Sequence, residues 1–386
     1  MNDRDRFRAV ANFETPDYVP IFGFPGAPGM SGGCMKKTHD NLIATGMPAG
    51  VGGFNENWVC TDVESWYRYW GTTGSIGVDF GLARGGGWFE SKSREEDGYV
   101  IIESENGAVT RQLVDNDITY TMPEFIRYPV RDRESWEFYK QRTQANHIMP
   151  PEEMEENCRR LDDRTRPLCI SAGSTYGMLR GLMGTEYASI ALYEEPELVR
   201  DMIRSGLDGA RKHVFPLIER LEPEIVHIGE DLCYNHGMLL SPGHFDEYCG
   251  QFYQEVCDCA RAAGADLVAI DTDGNAMEFT GVAASYGVNA IYPYEVKAGN
   301  DLFALREQYP RFVFVGWLEK ETINEGNEDT IEPEIMSKVP PLLEKGGYFP
   351  NGDHGIQPWA VFPSLCKFMT ILHEVCGNPE GEFPRV

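Results

Sequence analysis

The sequence lacks any run of about 18 apolar residues, so no transmembrane helix is expected. Its opening stretch, MNDRDRFRAVANFE, has no apolar signal core, and the expected location is the cytoplasm. Basic blocks are missing too: 34 Lys and Arg stand against 61 Asp and Glu, a formal charge of −27. Such a chain repels polyanions, so neither nucleic acid nor an anionic membrane surface is an expected partner. Ten cysteines are present without the paired spacing of a secreted disulfide framework, and reduced thiols are expected. Cys257 and Cys259 lie in a stretch whose apolar residues recur at helical spacing, where i and i+2 diverge around the axis and cannot easily share one ion. No G-x-G-x-x-G or Walker loop follows any strand-like run, and Gly85-Gly86-Gly87 leads to Trp88 instead of a helix, so no phosphate cradle is expected.

What the sequence does have is alternation. A helix around Arg4 to Phe13 leads to a short strand at Val19 to Phe24 and a Gly/Pro-rich loop, PGAPGMSGG. Asn106-Gly107 between two β-rich arms signals a tight hairpin. From about residue 165 strands and helices alternate, with strands at PLCISAG, EIVHIGE, DLVAIDTD, NAIYPYE, FVFVGW and GYFPNG. Adding Val19 to Phe24 and a strand near Gly77 to Phe80 gives about eight, which fits an α/β fold of the TIM (β/α)8 barrel type with an N-terminal hairpin-containing extension. One domain over residues 1–386 is expected, with an inserted β-hairpin region at about 86–130.

Barrel chemistry gathers at the ends of strands. Here those ends carry Glu230, Asp231, Cys233 and His236; Asp271, Asp273 and Asn275; Tyr294, Glu295 and Lys297; and Asn351, Asp353 and His354. In an extended strand Asp271 and Asp273 point to one side, and like charges so placed raise each other's pKa unless a cation or proton intervenes. Each group has a plainer reading. The acids beside Gly274 can build a turn or cap, Glu230 and Asp231 can pair with arginines, and Glu295 can pair with Lys297. Tyr292, Tyr294, Trp317 and Trp359 can be core or rim aromatics, His227 reads as a hydrogen-bonded interior histidine, and His236 stays open. Taken together, the carboxylates and one imidazole suit a divalent metal such as Zn acting as a Lewis acid, or else a metal-free site in which one acid with a raised pKa donates a proton.

The segments PEFIRYPVRDRESWEFYKQR, IGEDLCYNHGMLLSP, DTDGN, YPYEVKAGNDL and GDHGIQPW, in this order, resemble the uroporphyrinogen decarboxylase superfamily, which includes corrinoid-dependent methyltransferases. The resemblance implies a TIM barrel. Decarboxylases of porphyrin synthesis carry P-V-W-x-M-R-Q-A-G-R, whose arginines bind substrate carboxylates; this chain has PIFGFPGAPG, with Pro25 and Gly29 at those places, which disfavours that reaction. The methyltransferases and related cobalamin-independent methionine synthases hold zinc with His-x-Cys, a Glu roughly twenty residues on and a Cys roughly sixty beyond. This chain matches the frame with Asp271-x-Asp273, Glu295 after 22 positions and His354 after a further 59, but not the ligand types. Harder ligands suit activation of an ether oxygen over that of a thiol.

The resemblance therefore implies a methyltransferase of the O-demethylase methyltransferase I type. It would move a methyl group from a methoxylated, aromatic compound to the Co(I) corrinoid of a partner protein. Metal ligands would come from Asp271, Asp273, Glu295 and His354; Glu230, Asp231 or Asp273 would handle protons; Tyr294, Trp317 and Trp359 would stack on substrate. Two alternatives stand beside it: a decarboxylase or lyase acting on a smaller carboxylic acid, and a non-catalytic barrel that binds a ligand or corrinoid protein.

Overall fold

Asn2 begins the first helix, Asp3–Ala11, through a reciprocal cap: its side chain accepts from Asp5 N at 2.8 Å, and the Asp5 carboxylate accepts from Asn2 N at 3.2 Å. This helix buries Phe7, whose ring packs 4.8 Å from Phe22 and 5.1 Å from Phe349 and so plugs one end of a curled sheet. The computed structural model describes residues 1–24, 34–53, 62–77, 89–114, 123–144 and 151–386. Pro25, Gly29, Phe80, Gly85 to Gly87 and Trp88 lie outside the described residues.

The strands are β1 (Phe22–Gly23), β2 (Thr73–Gly74), β3 (Ile76–Gly77), β4 (Lys92–Glu96), β5 (Tyr99–Glu103), β6 (Val109–Leu113), β7 (Glu124–Arg127), β8 (Leu168–Gly173), β9 (Ile225–Gly229), β10 (Cys233–Tyr234), β11 (Gly237–Met238), β12 (Leu267–Thr272), β13 (Ala290–Pro293), β14 (Val313–Leu318) and β15 (Tyr348–Gly352). Seven of them form a parallel sheet in the order β15-β14-β13-β12-β9-β8-β3. Only Ser75 separates β3 from β2, and β2 pairs in parallel with β1, so the curl extends to eight staves.

The expected barrel is present in open form, because no main-chain ladder joins β15 to β1 among the described residues. Gly347 O accepts from Phe314 N and Asp353 N donates to Leu318 O, so alternate residues of β15 face β14. Pro350 then faces β1 and has no N–H to offer. A side chain spans the seam instead: Asn351 Nδ2 donates to Phe22 O at 3.2 Å.

Period-two alternation sorts the strand residues into two cores. Ile225, Leu267, Ala269, Tyr292, Val315 and Phe349 face the interior of the curl with Phe7 and Phe22, while Val226, Val268, Ile270 and Ile291 pack outward against helices. Between β3 and β8 the chain makes a separate four-stranded antiparallel sheet, β4-β5-β6-β7. Its central hairpin turns at Asn106-Gly107 as the sequence predicts, with Gly107 at φ +88° and Asn106 Oδ1 accepting from Ala108 N at 3.0 Å. No disulfide joins the nine described cysteines, and no helix among the described residues is long and apolar enough to cross a membrane.

Candidate active site

At the C-terminal ends of β8, β9, β12 and β15 the staves open into a cleft of about 340 Å³ lined by Ser174, Gly177, Arg180, Gly229, Glu230, Asp231, Asp271, Asp273 and His354. Its first wall follows from β9. Glu230 is buried, and its carboxylate accepts from Thr175 N at 2.7 Å, Thr175 Oγ1 at 2.6 Å and Gly177 N at 2.9 Å. These are the free donors at the start of helix Tyr176–Met183, so the acid fixes that helix against the strand end. Burial raises the Glu230 pKa despite those bonds. Asp231 follows at φ +48°, a strained conformation for a residue with a Cβ, and is held by Arg180: Nη1 donates to Asp231 O at 2.8 Å and Nη2 to Asp231 Oδ2 at 2.5 Å.

The same joint explains Gly177. A Cβ there would stand 2.7 Å from Glu230 O and 2.9 Å from Gly229 O, both main-chain atoms that cannot swing aside. Gly177→Ala is expected to lower stability by about 1–3 kcal/mol, the usual cost of overpacking, read as a lower thermal midpoint.

The second wall comes from β12, β13 and β15. Asp271 and Asp273 both reach the cleft. Burial first, and then the charges of Asp273 and Asp231, push the Asp271 carboxyl well above the usual range. Asp273 keeps 46% of its side chain exposed and lies 3.5 Å from His354 Nε2. Burial raises its pKa to about 6, with Asp231 and Glu295 adding to the rise and His354 and Arg180 opposing it. His354 is placed by its neighbour: buried Asp353 accepts from Val296 N at 2.9 Å and Lys320 N at 3.1 Å, tying the turns after β13 and β14 to the end of β15.

Glu295 is turned to a holding task. Its Oε2 accepts from Gly274 N at 2.9 Å, and Lys320 Nζ lies 3.6 Å from Oε1. Its expected partner Lys297 reaches Glu321 at 3.0 Å instead. Gly274 sits at φ +76°, and a Cβ there would meet the Tyr234 main chain at 2.6 Å, which requires glycine in this turn. Of the four expected metal ligands, Asp271 and Asp273 share the cleft and Asp273 meets His354. Among the described residues, however, no group of three or more His, Cys, Asp or Glu side chains is gathered closely enough to hold a metal ion. The residues present do not fit a resident zinc with three protein ligands.

The expected substrate aromatics lie elsewhere. Alternation would aim Tyr294 and Trp317 inward, but both adopt positive φ, +56° and +67°, and their rings join the outer core. The Tyr294 hydroxyl bonds Thr280 Oγ1 at 2.9 Å, and Trp317 Nε1 donates to Asn300 O at 2.8 Å beneath the Lys338 ammonium, 4.5 Å from the ring. Trp359 is about half exposed and does not line the cleft. His236 is exposed between β10 and β11, edge-on to Tyr234.

No protein-family model matches the chain, and no curated protein matches it in sequence. The fold is similar to that of a methyltransferase from Methanosarcina mazei, with a TM-score of 0.54 at 13% identity over 97% of this chain and 98% of that one. At that identity the likeness is one of fold, and it spans both chains nearly end to end.

One cleft-lining residue, Arg180, escaped the sequence reading. It sits in a helix with no motif to mark it. His227 is interior, as expected, but its Nε2 has no hydrogen-bond partner among the described residues. The signal was there in the alternation, since Ile225, His227 and Gly229 share one face.

Proposed function

We propose that the chain is a methyltransferase that takes the methyl group of a methoxylated aromatic compound and passes it to the reduced corrinoid of a partner protein. The observation that carries this reading is Asp273: an accessible acid at the strand ends, in contact with His354, with a pKa near 6. Cleaving a methyl ether leaves an oxyanion, R–O⁻, as the methyl goes to its acceptor. Asp273 in its protonated form supplies the proton that makes R–OH, and burial first, with the charges of Asp231 and Glu295 adding to it, keeps that proton available near neutral pH. An aromatic ether is favoured because a phenolic oxygen, with a pKa of about 10, is a far better leaving group than an alkoxide.

The likeness of fold to a methyltransferase supports the reading without fixing the substrate or the acceptor. The rival decarboxylase would need a cation for its substrate's carboxylate. Arg180 is the only lysine or arginine lining the cleft among the described residues, and it already bonds Asp231 twice.

The test is direct. Purified protein, a methoxyarene and cob(I)alamin are incubated anaerobically while methylcobalamin is followed by absorbance and the free phenol by chromatography. Equimolar formation of both products is expected. If neither appears across a panel of methoxyarenes, while a small carboxylic acid loses CO₂, the decarboxylase reading replaces this one.

A further inference from the structure

One layer below the acids, the interior face of the curl is polar where the rest is apolar. Ile225 and Leu267 belong to the inner core, so His227 and Asp271, two and four residues on, face the same interior. In the ladders, Ser171 stands beside His227 and Gly229 beside Asp271. The His227 Nε2 atom is buried and has no hydrogen-bond partner among the described residues. Native folds keep few such atoms, because leaving one unpaired is destabilising.

Gly229 explains how a partner would reach it. This residue lines the cleft, and a Cβ on it would stand 3.3 Å from Cε1 and 3.7 Å from Nε2 of His227. With no side chain there, only the Gly229 main chain separates the cleft from the edge of the imidazole.

We propose that the cleft continues past Gly229 to His227, and that this deeper station binds an uncharged hydroxyl on the substrate, at the end of the ring opposite the ether. In register, His227 pairs with Ala269, and Asp273 lies four residues farther along. That is about 13 Å of strand, room for one aromatic ring with an oxygen at each end and a hydrogen bond beyond each oxygen. Among the described residues no hydrogen-bond partner sits on this nitrogen, and a hydroxyl, which both donates and accepts, serves either tautomer. Burial pushes the His227 pKa down to about 4, so the ring is uncharged at neutral pH and gives a carboxylate no counter-charge. The choice of a ring ether as ligand rests on the proposed methyl transfer; the hydroxyl station does not.

The experiment is titration calorimetry of the full chain, without acceptor, against 4-methoxyphenol, anisole and hydroquinone. 4-Methoxyphenol is expected to bind at least tenfold more tightly than anisole. The preference should vanish in His227→Leu and fall by a similar factor in Gly229→Ala, which keeps the imidazole and places a methyl against it. Thermal unfolding checks that both variants fold, and Gly229→Ala alone decides if His227→Leu does not. Equal binding of 4-methoxyphenol and anisole, no binding of either, or a preference untouched by Gly229→Ala overturns the proposal. Hydroquinone has no methyl to give. Its His227-dependent binding in a protein that transfers no methyl would retain the station and sink the transferase reading, whereas methyl transfer blind to the second hydroxyl would do the reverse.

Discussion

Asp273→Asn is expected to lower the rate of methyl transfer by about 10²–10⁴-fold, the usual contribution of a positioned general acid. The asparagine keeps the size of the side chain and one acceptor oxygen, so contact with His354 can persist while the transferable proton is gone. The pH profile should change with it. In the native protein the active form is the acid, so activity should fall as pH rises through about 6, the value to which burial and the neighbouring carboxylates raise Asp273. At pH 7 roughly a tenth of the molecules then carry the proton, enough for turnover with a donor well matched to neutral conditions. The variant should lose this descending limb together with its rate. Initial rates of corrinoid methylation measured over about pH 5 to 8 test both points. A variant with native rates and an unchanged limb would remove Asp273 from the chemistry.

The largest effect on stability is expected far from the cleft, at the opposite end of the same staves. Glu224, just before β9, is buried and accepts from Arg164 Nε at 3.0 Å, Arg4 Nε at 2.7 Å and Leu168 N at 2.8 Å. One carboxylate thus aligns the starts of β8 and β9 and anchors the first helix. Glu224→Ala leaves the Arg164 guanidinium, whose side chain is 5% exposed, without its counter-ion, and a loss of about 3–5 kcal/mol is expected. Equilibrium denaturation in urea would read it as a lower midpoint at unchanged slope. The linkage to pH has a definite sign. Burial alone would raise the Glu224 pKa, but the bonds from Arg164 and Leu168 outweigh it and leave the value lowered. A depressed carboxylate pKa gives stability that is fully present above the unfolded value of about 4.3 and is lost as pH falls through the folded value. Acid should therefore narrow the gap between native protein and variant.

Neither effect was equally visible in the sequence. Apolar strands with period two were legible, and so was the shared side of Asp271 and Asp273, because alternation is a property of the chain itself. That rule ceases wherever the backbone leaves the extended region. Tyr294 and Trp317 lie on the inward phase of β13 and β14, yet positive φ at both carries their rings out to the helices. Glu295 stands at the spacing of a metal ligand, but spacing along a chain does not say which donor arrives first, and here Gly274 N and Lys320 claim it. Glu224 carried no motif, since its partners are brought from residues 4, 164 and 168 by tertiary folding alone. The openness of the barrel was written in Pro350, but became readable only once the side of β15 that it occupies was known.

That proline gives the molecule an adjustable join. Everywhere else around the curl the spacing between neighbours is dictated by main-chain bonds common to all sequences. Between β15 and β1 it is set by side chains, the Asn351 amide on Phe22 O and the packed rings of Phe7, Phe22 and Phe349. Asp353 and His354 follow Asn351 by two and three residues, so a change at this clasp is transmitted along a very short lever to the contact with Asp273. A divergent copy of this chain could reset the distance between acid and imidazole there, with every ladder in the sheet left as it is.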